Sequence, residues 1–223
     1  MREQFCYNGE KLSTGGIMTD GRRTALITAF EPFGGREKNA AEEALRRLAG
    51  QVGETFPLRL EQRVLPVEAD AAAQQLCAAI DEVQPAYVVC LGEATRGEIC
   101  LERIGYNERR YPMPDNAGRQ FDGDPIREDG PESYTATLPL DAMLEAMQAT
   151  GVPVRLSDDA GRYLCNEALY TCLDHIAQRG LPVRAGFIHV PRVPGPDSPD
   201  GGSLPTEDVV RALIAGLTAL AEC

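Results

Sequence analysis

The sequence predicts an α/β fold: an open, largely parallel sheet with helices on both faces. Two observations carry this. Short β-rich apolar runs alternate along the chain with longer amphipathic stretches, the rhythm of strand–helix–strand units. One run, "AYVVCLG" (86–92), is apolar almost throughout, as a strand buried on both faces requires.

The elements follow in order. "TALITAF" (24–30) is an apolar, β-branched strand. Residues 38–49 are helical, because Ala41, Ala44, Leu45 and Leu48 return on one side. "LRLEQRVLPV" (58–67) reads as strand, and 68–83 as a helix that must stop ahead of Pro85. After 86–92 comes a further strand, "ICLERIGYN" (99–107). Residues 138–149 are helical, 152–157 strand, 165–178 helix and 183–190 strand. Residues 206–221 form a closing helix with Glu207 and Asp208 in its first turn, where the macrodipole favours them. Two stretches rich in Gly, Pro and Asp, 108–136 and 191–203, read as long loops that wall a site or simply cover surface. Residues 1–21 are polar and aperiodic and are expected to form a flexible extension, with Met18 as an alternative start. Residues 22–223 are then one compact domain.

Composition excludes several functions. The net charge is −12 and no stretch gathers Lys and Arg, which argues against nucleic acid and against anionic membranes. No apolar run approaches the ~20 residues of a bilayer span. The first residues lack the apolar middle of a secretory signal, so a cytosolic location is expected. Seven scattered cysteines without a Cys-x-x-Cys pair, and two histidines, lead us to expect neither a disulfide framework nor a metal.

In sheets of this class ligands gather beyond the carboxyl ends of the strands. The residues to inspect are therefore Phe30 to Gly35, Glu93 to Glu98, Cys165 and His189. Cys165 falls at the start of a helix, where unpaired N–H groups and the dipole favour a thiolate and could hold an oxyanion. His189, at the end of a strand, could move the thiol proton. The rival reading makes Cys165 a buried member of the stripe it shares with Ala168, Leu169, Cys172, Leu173 and Ile176. Periodicity alone leaves both open. Cys172 fits the buried reading, and His175 reads as a solvated surface residue. A carboxylate should orient the imidazole, but charge and spacing do not choose between Glu93, Glu98 and Glu102.

The segments "LITAFEPFGG" (26–35), "CLGEATRGEICLERIGYN" (90–107), "PDN" (114–116), "DAGRYLCNEALY" (159–170), "GFIHVPRVP" (186–194) and "SLPTEDVVRALI" (203–214) together resemble the pyrrolidone-carboxylate peptidases, or type I pyroglutamyl peptidases. The likeness runs from about residue 24 nearly to the C-terminus. It implies a single-domain three-layer α/β/α sandwich with a twisted, partly open sheet. It also implies a cytosolic cysteine peptidase that removes N-terminal pyroglutamyl residues without a metal or organic cofactor, and that self-associates, commonly as a tetramer. Cys165 would be the nucleophile, His189 the general base and acid, and Glu102 the orienting carboxylate. Phe30 and Phe33 would wall a pocket for the flat, neutral lactam, a ring suited to an apolar slot. Asn39 would steady that loop or serve as a helix N-cap. Tyr163, Leu164 and Met113 would line the pocket or pack in the core.

The chain departs from the family pattern in places. Glu93 stands where many bacterial members read glutamine, and "GEATRG" is one residue shorter ahead of Glu102. An acid there is expected to reshape the substrate-facing rim, to repel anionic substrates or to raise the histidine's pKa. Pro112 stands where relatives carry a basic residue, which Arg109 or Arg110 could replace. Gly105 and Asp159 also differ. Two rivals are a hydrolase of another small cyclic or acyl amide and a non-catalytic small-molecule binder.

Overall fold

Successive side chains of the central strands go to opposite faces of the sheet, both of them buried, and this decides the architecture. The structure, a computed structural model, describes residues 21–195 and 202–223. The expected N-terminal extension, apart from Gly21, and part of the 191–203 loop lie outside the described residues. The chain runs β1 (Arg23–Phe30), α1 (Ala40–Gln51), β2 (Leu58–Leu65), α2 (Ala71–Val83), β3 (Tyr87–Ala94), β4 (Ile99–Glu102), β5 (Ile104–Tyr106), β6 (Arg109–Arg110), β7 (Asp122–Asp124) and β8 (Ser133–Thr135). It continues through α3 (Leu140–Gln148), β9 (Val154–Ser157), α4 (Leu164–Arg179), β10 (Arg184–Pro191) and α5 (Thr206–Glu222).

The main sheet has the order β2-β1-β3-β10-β4-β9, and every neighbouring pair is parallel except β10 with β4. Because side chains alternate across a strand, β1 sends Ile27 and Ala29 to one face and Leu26 and Phe30 to the other. The first face packs on α1, α3 and α5 through Leu45, Leu48, Met143, Leu213 and Leu217. The second packs on α2 and α4 through Leu76, Ile80, Leu169, Cys172 and Leu173. Helices therefore cover both faces, and each fully buried leucine contributes roughly 1.5–3 kcal/mol relative to exposure. The crossover through α1 lies on one face and that through α2 on the other. This puts the topological switch between β1 and β3, where open α/β sheets bind ligands.

Three expectations need correction. The strand expected over 99–107 breaks at Arg103. β4 stays in the main sheet, whereas β5 turns out to pair with β8 beneath α4. The stretch 108–136 is not one loop but carries β6, β7 and β8. These strands are two or three residues long and, as in the fully exposed Asp122–Asp124, have no apolar period that a pattern could reveal. His175 is not simply solvated: its Nε2 meets Asp81 Oδ1 at 2.9 Å, and its side chain is largely covered.

The start of α4 is fixed to its surroundings by backbone and side chain together. Gly105 lets β5 approach closely, since a Cβ there would lie 2.9 Å from the backbone nitrogen of Tyr170. Asn166, fully buried in the first turn, accepts from Tyr106 N–H at 2.8 Å and donates to the carbonyls of Tyr106 (2.8 Å) and Glu108 (2.9 Å). Removing that amide leaves buried backbone groups unpaired, at a cost of about 1–3 kcal/mol each. Asn166→Ala should thus lower unfolding stability by about 2–3 kcal/mol or more, read from the denaturant midpoint at constant m-value.

Candidate active site

Helix α4 begins at the carboxyl ends of β3 and β10, and this brings the two residues singled out above together. Its first intrahelical bond runs from Glu167 N–H to the Tyr163 carbonyl, so the N–H of Cys165 has no partner within the helix. The N-cap residue, Tyr163, makes no side-chain capping bond. The Cys165 sulfur sits over Gly92, whose absent side chain makes room for it: a Cβ there would lie 2.8 Å from Sγ and 2.6 Å from the Phe187 ring. Gly92 is the direct cross-strand neighbour of His189.

His189 is 5 % exposed, and its Nδ1 meets Glu102 Oε1 at 2.8 Å. Its other side faces the Cys165 sulfur as a hydrogen-bond partner. The antiparallel register selects Glu102. Opposite β10 stand Cys100 for His189 and Glu102 for Phe187, so Glu102 and His189 are diagonal neighbours on one face. The carboxylate is fully buried; Arg96 Nη1 approaches the same Oε1 at 3.6 Å, and Oε2 has no hydrogen-bond partner among the described residues. Burial, the largest influence on His189, disfavours its cation. The Cys165 sulfur and then Glu102 outweigh it and raise the imidazole to about 9.

Beside this pair lies a cavity of about 170 Å³ walled by Phe30, Phe33, Asn39, Val67, Glu93, Ala160, Tyr163 and Leu164, with Cys165 and His189 on it. Phe30 ends β1, and Phe33 stands 6.2 Å from Tyr163, centroid to centroid. Asn39 caps α1, accepting from Ala41 N–H at 2.9 Å and donating to the Glu31 carbonyl at 3.1 Å, so both of its expected uses are visible. Tyr163 donates its hydroxyl to the Pro114 carbonyl at 3.2 Å and stacks edge-on with Tyr111, which in turn donates to the buried Glu167 at 2.6 Å. Behind the cavity, Arg109 is bound to Asp70 and Arg110 to Glu108 and Asp122, all at about 3 Å.

Met113 is not among the cavity walls. It is 43 % exposed and packs over the turn at Gly34 instead, because "PDN" holds the chain through the Asn116 and Asp115 side chains rather than through the methionine. Glu93 also differs from expectation. Its side chain is nearly buried, held by Arg36 at 2.5 Å and Arg192 at 3.1 Å, and its second oxygen accepts the Ala40 N–H at 2.8 Å. It is a charge-paired structural acid rather than a free charge on the rim, and the largest influences on His189 are burial, Cys165 and Glu102 instead. Val67 and Ala160 escaped the sequence reading. Val67 follows a strand and could have been found by the rule that flagged Phe30. Nothing local marked Ala160, Arg36 or Arg192.

A thiol and an imidazole on one cavity, the imidazole backed by a buried carboxylate, at the edge of an α/β/α sheet, are the groups of a cysteine hydrolase. The family model described as pyroglutamyl peptidase matches residues 23–223. The chain is 37 % identical over 194 residues to the pyrrolidone-carboxylate peptidase of Brevibacillus brevis, covering 86 % of this chain and 89 % of that one. It is 42 % identical over 178 residues to pyrrolidone-carboxylate peptidase 1 of Photorhabdus laumondii, covering 77 % and 80 %. Among solved structures, the pyroglutamyl peptidase I of Bacillus amyloliquefaciens superposes with a TM-score of 0.83 at 33 % identity, covering 89 % of this chain and 95 % of that one. The pyrrolidone carboxyl peptidase of Thermococcus litoralis superposes at 0.82 and 34 %, covering 90 % and 94 %. The chain belongs to the pyroglutamyl peptidase family of cysteine peptidases.

Two outcomes test this geometry. Gly92→Ala should push Cys165 Sγ off His189 and lower kcat on the order of 10²-fold, while the circular dichroism spectrum is kept. The chain has two histidines, so each imidazole can be followed by NMR. His189 should titrate near 9, and its midpoint should fall in Cys165→Ala, where burial is opposed by Glu102 alone. The folded value lies above the ordinary 6.5. The imidazolium's stabilising contribution is therefore complete below pH 6.5 and is lost as pH rises through about 9.

Proposed function

We propose that residues 22–223 form a catalytic unit that cleaves the bond after an N-terminal pyroglutamyl residue, using Cys165, His189 and Glu102. The observation that carries this is the single cavity shared by Cys165, His189 and the two rings Phe30 and Phe33. A pyroglutamyl terminus is a flat lactam with no ammonium group, and a narrow, mainly apolar slot suits it while leaving a charged N-terminus undersolvated. Phe30, Phe33, Tyr163 and Leu164 pack on the ring, and Asn39 holds the loop that carries Phe33. Glu93, tied down by Arg36 and Arg192, shapes the rim.

The chemistry then follows from the atoms. Nδ1 of His189 is engaged by Glu102, so Nε2 faces the sulfur and carries the mobile proton. Sγ of Cys165 attacks the carbonyl carbon next to the lactam ring, and the charge that develops on oxygen meets the uncapped N–H groups at the start of α4. The C–N bond breaks as Nε2 gives its proton to the departing amine, leaving a thioester on Cys165. Water, deprotonated by the now neutral imidazole, hydrolyses the thioester and restores the thiol. A His189 that holds its proton up to about 9 is suited to be the acid that expels the amine. Self-association and a cytosolic location belong to the same proposal, supported by the family resemblance; sedimentation and cell fractionation test them.

Turnover of a pyroglutamyl-aminocoumarin amide, beside the prolyl and N-acetylalanyl analogues, tests the reading. The pyroglutamyl amide should be cleaved at least a hundredfold better than either analogue, and Cys165→Ala should lower kcat on the order of 10³-fold or more. Equal turnover of the three amides, or full activity without the thiol, would remove it.

A further inference from the structure

A second cavity, of about 500 Å³, adjoins the first through Glu93 and is walled by Gly35, Arg36, Lys38, Arg192 and Val193. Arg36 stands at the partition. Its guanidinium lies 4.8 Å above the ring of Phe33, a wall of the first cavity, and its Nη1 is bound to Glu93 at 2.5 Å. Its Nη2 is buried and has no hydrogen-bond partner among the described residues. A buried donor left unmade is costly, so a site that keeps one in place is suited to an acceptor that arrives with a ligand.

The direction of the cavity agrees with the chemistry. The group that protonates the leaving amine must lie on the side of the departing peptide, and the chain that continues from His189 through Arg192 and Val193 becomes the wall of this second cavity. The charges around it balance: Arg36, Lys38 and Arg192 face Glu37, Glu43 and Glu93. Such a lining gives no reason to prefer a charged side chain, and the buried donor left unpaired among the described residues, Arg36 Nη2, asks only for a carbonyl.

We propose that this cavity receives the peptide beyond the scissile bond, with Arg36 Nη2 donating to a main-chain carbonyl of the leaving segment. This rests on the pyroglutamyl-peptidase reading and extends it to a subsite for main chain, largely indifferent to side-chain identity. Arg36 is then a specificity residue for length: a substrate whose leaving group is a peptide uses it, and one whose leaving group is an aminocoumarin does not.

The test compares kcat/KM for pyroglutamyl-Ala-Ala-amide with that for the pyroglutamyl-aminocoumarin amide. In Arg36→Met the ratio of peptide to coumarin amide should fall about tenfold, as the loss of one hydrogen bond gives. Damage to the first cavity or to Glu93 would lower both substrates together and leave the ratio alone. Pro194→Trp, at an exposed position on the cavity wall, should lower the same ratio by obstruction and decides the matter if Arg36→Met does not fold. A ratio within twofold of the unaltered protein's in every folded variant, with both substrates still cleaved, overturns the subsite and leaves the pyroglutamyl reading standing. Failure of the unaltered protein to cleave either substrate overturns both.

Discussion

The pairing of β4 against β10 is the constraint on which the rest of the site depends. The other pairings in the sheet are parallel, and this one reverses direction. Reversal lets a strand that enters from the far side deliver Glu102 diagonally across from His189, on the face that carries α4. A slip of one residue would turn Glu102 to the opposite face and set Leu101 beside the imidazole. The apolar residues that flank Glu102 hold the register, since Leu101 and Ile99 are fully buried among α3 and α5 residues on the other side of the sheet. Core packing on one face thus fixes the Glu102–His189 geometry on the other.

A buried carboxylate beside a buried imidazole is expensive unless partners offset the desolvation of both. Here the imidazole is held between a carboxylate and a sulfur, and those two partners overcome the burial that would otherwise keep it neutral. Glu102 has one oxygen committed to His189 and Arg96 nearby, so the charge is shared over three groups rather than isolated. The ring can rotate little, because Phe187 packs on it at 4.8 Å. Pre-organisation of this kind lowers the reorganisation needed when charge moves.

The same rule governs Glu93. An acid at the edge of an apolar slot would repel the electron-rich carbonyls of a substrate, yet two arginines and a helix N–H absorb it completely. The charge is thus accommodated by partners that come from the β1–α1 loop and from the end of β10. The network of Tyr111, Glu167 and Arg109 does the corresponding work behind Tyr163, so that the buried acid on each side of the slot is matched by a guanidinium.

The sequence by itself determined the layer architecture, because burial on two faces and on one stripe leaves distinct periods in the apolar residues: "AYVVCLG" is β3 and the Ala41-Ala44-Leu45-Leu48 stripe is α1. It also placed Cys165 at a helix start and His189 near the end of a strand, both local properties. The choice of Glu102 over Glu93 and Glu98 needed either the likeness to a family or the tertiary register, since all three are acids near strand ends and only antiparallel pairing separates them. Met113 and Glu93 could be placed only by three-dimensional packing, since neighbours along the chain do not reveal whether a methionine turns out over a glycine or which arginines meet an acid. Arg36 and Arg192 are 156 positions apart from one another in sequence order, about the widest separation a site here spans, and no periodicity links them to Glu93. Periodicity records which way a residue faces; which distant residue it faces is settled only when the layers close.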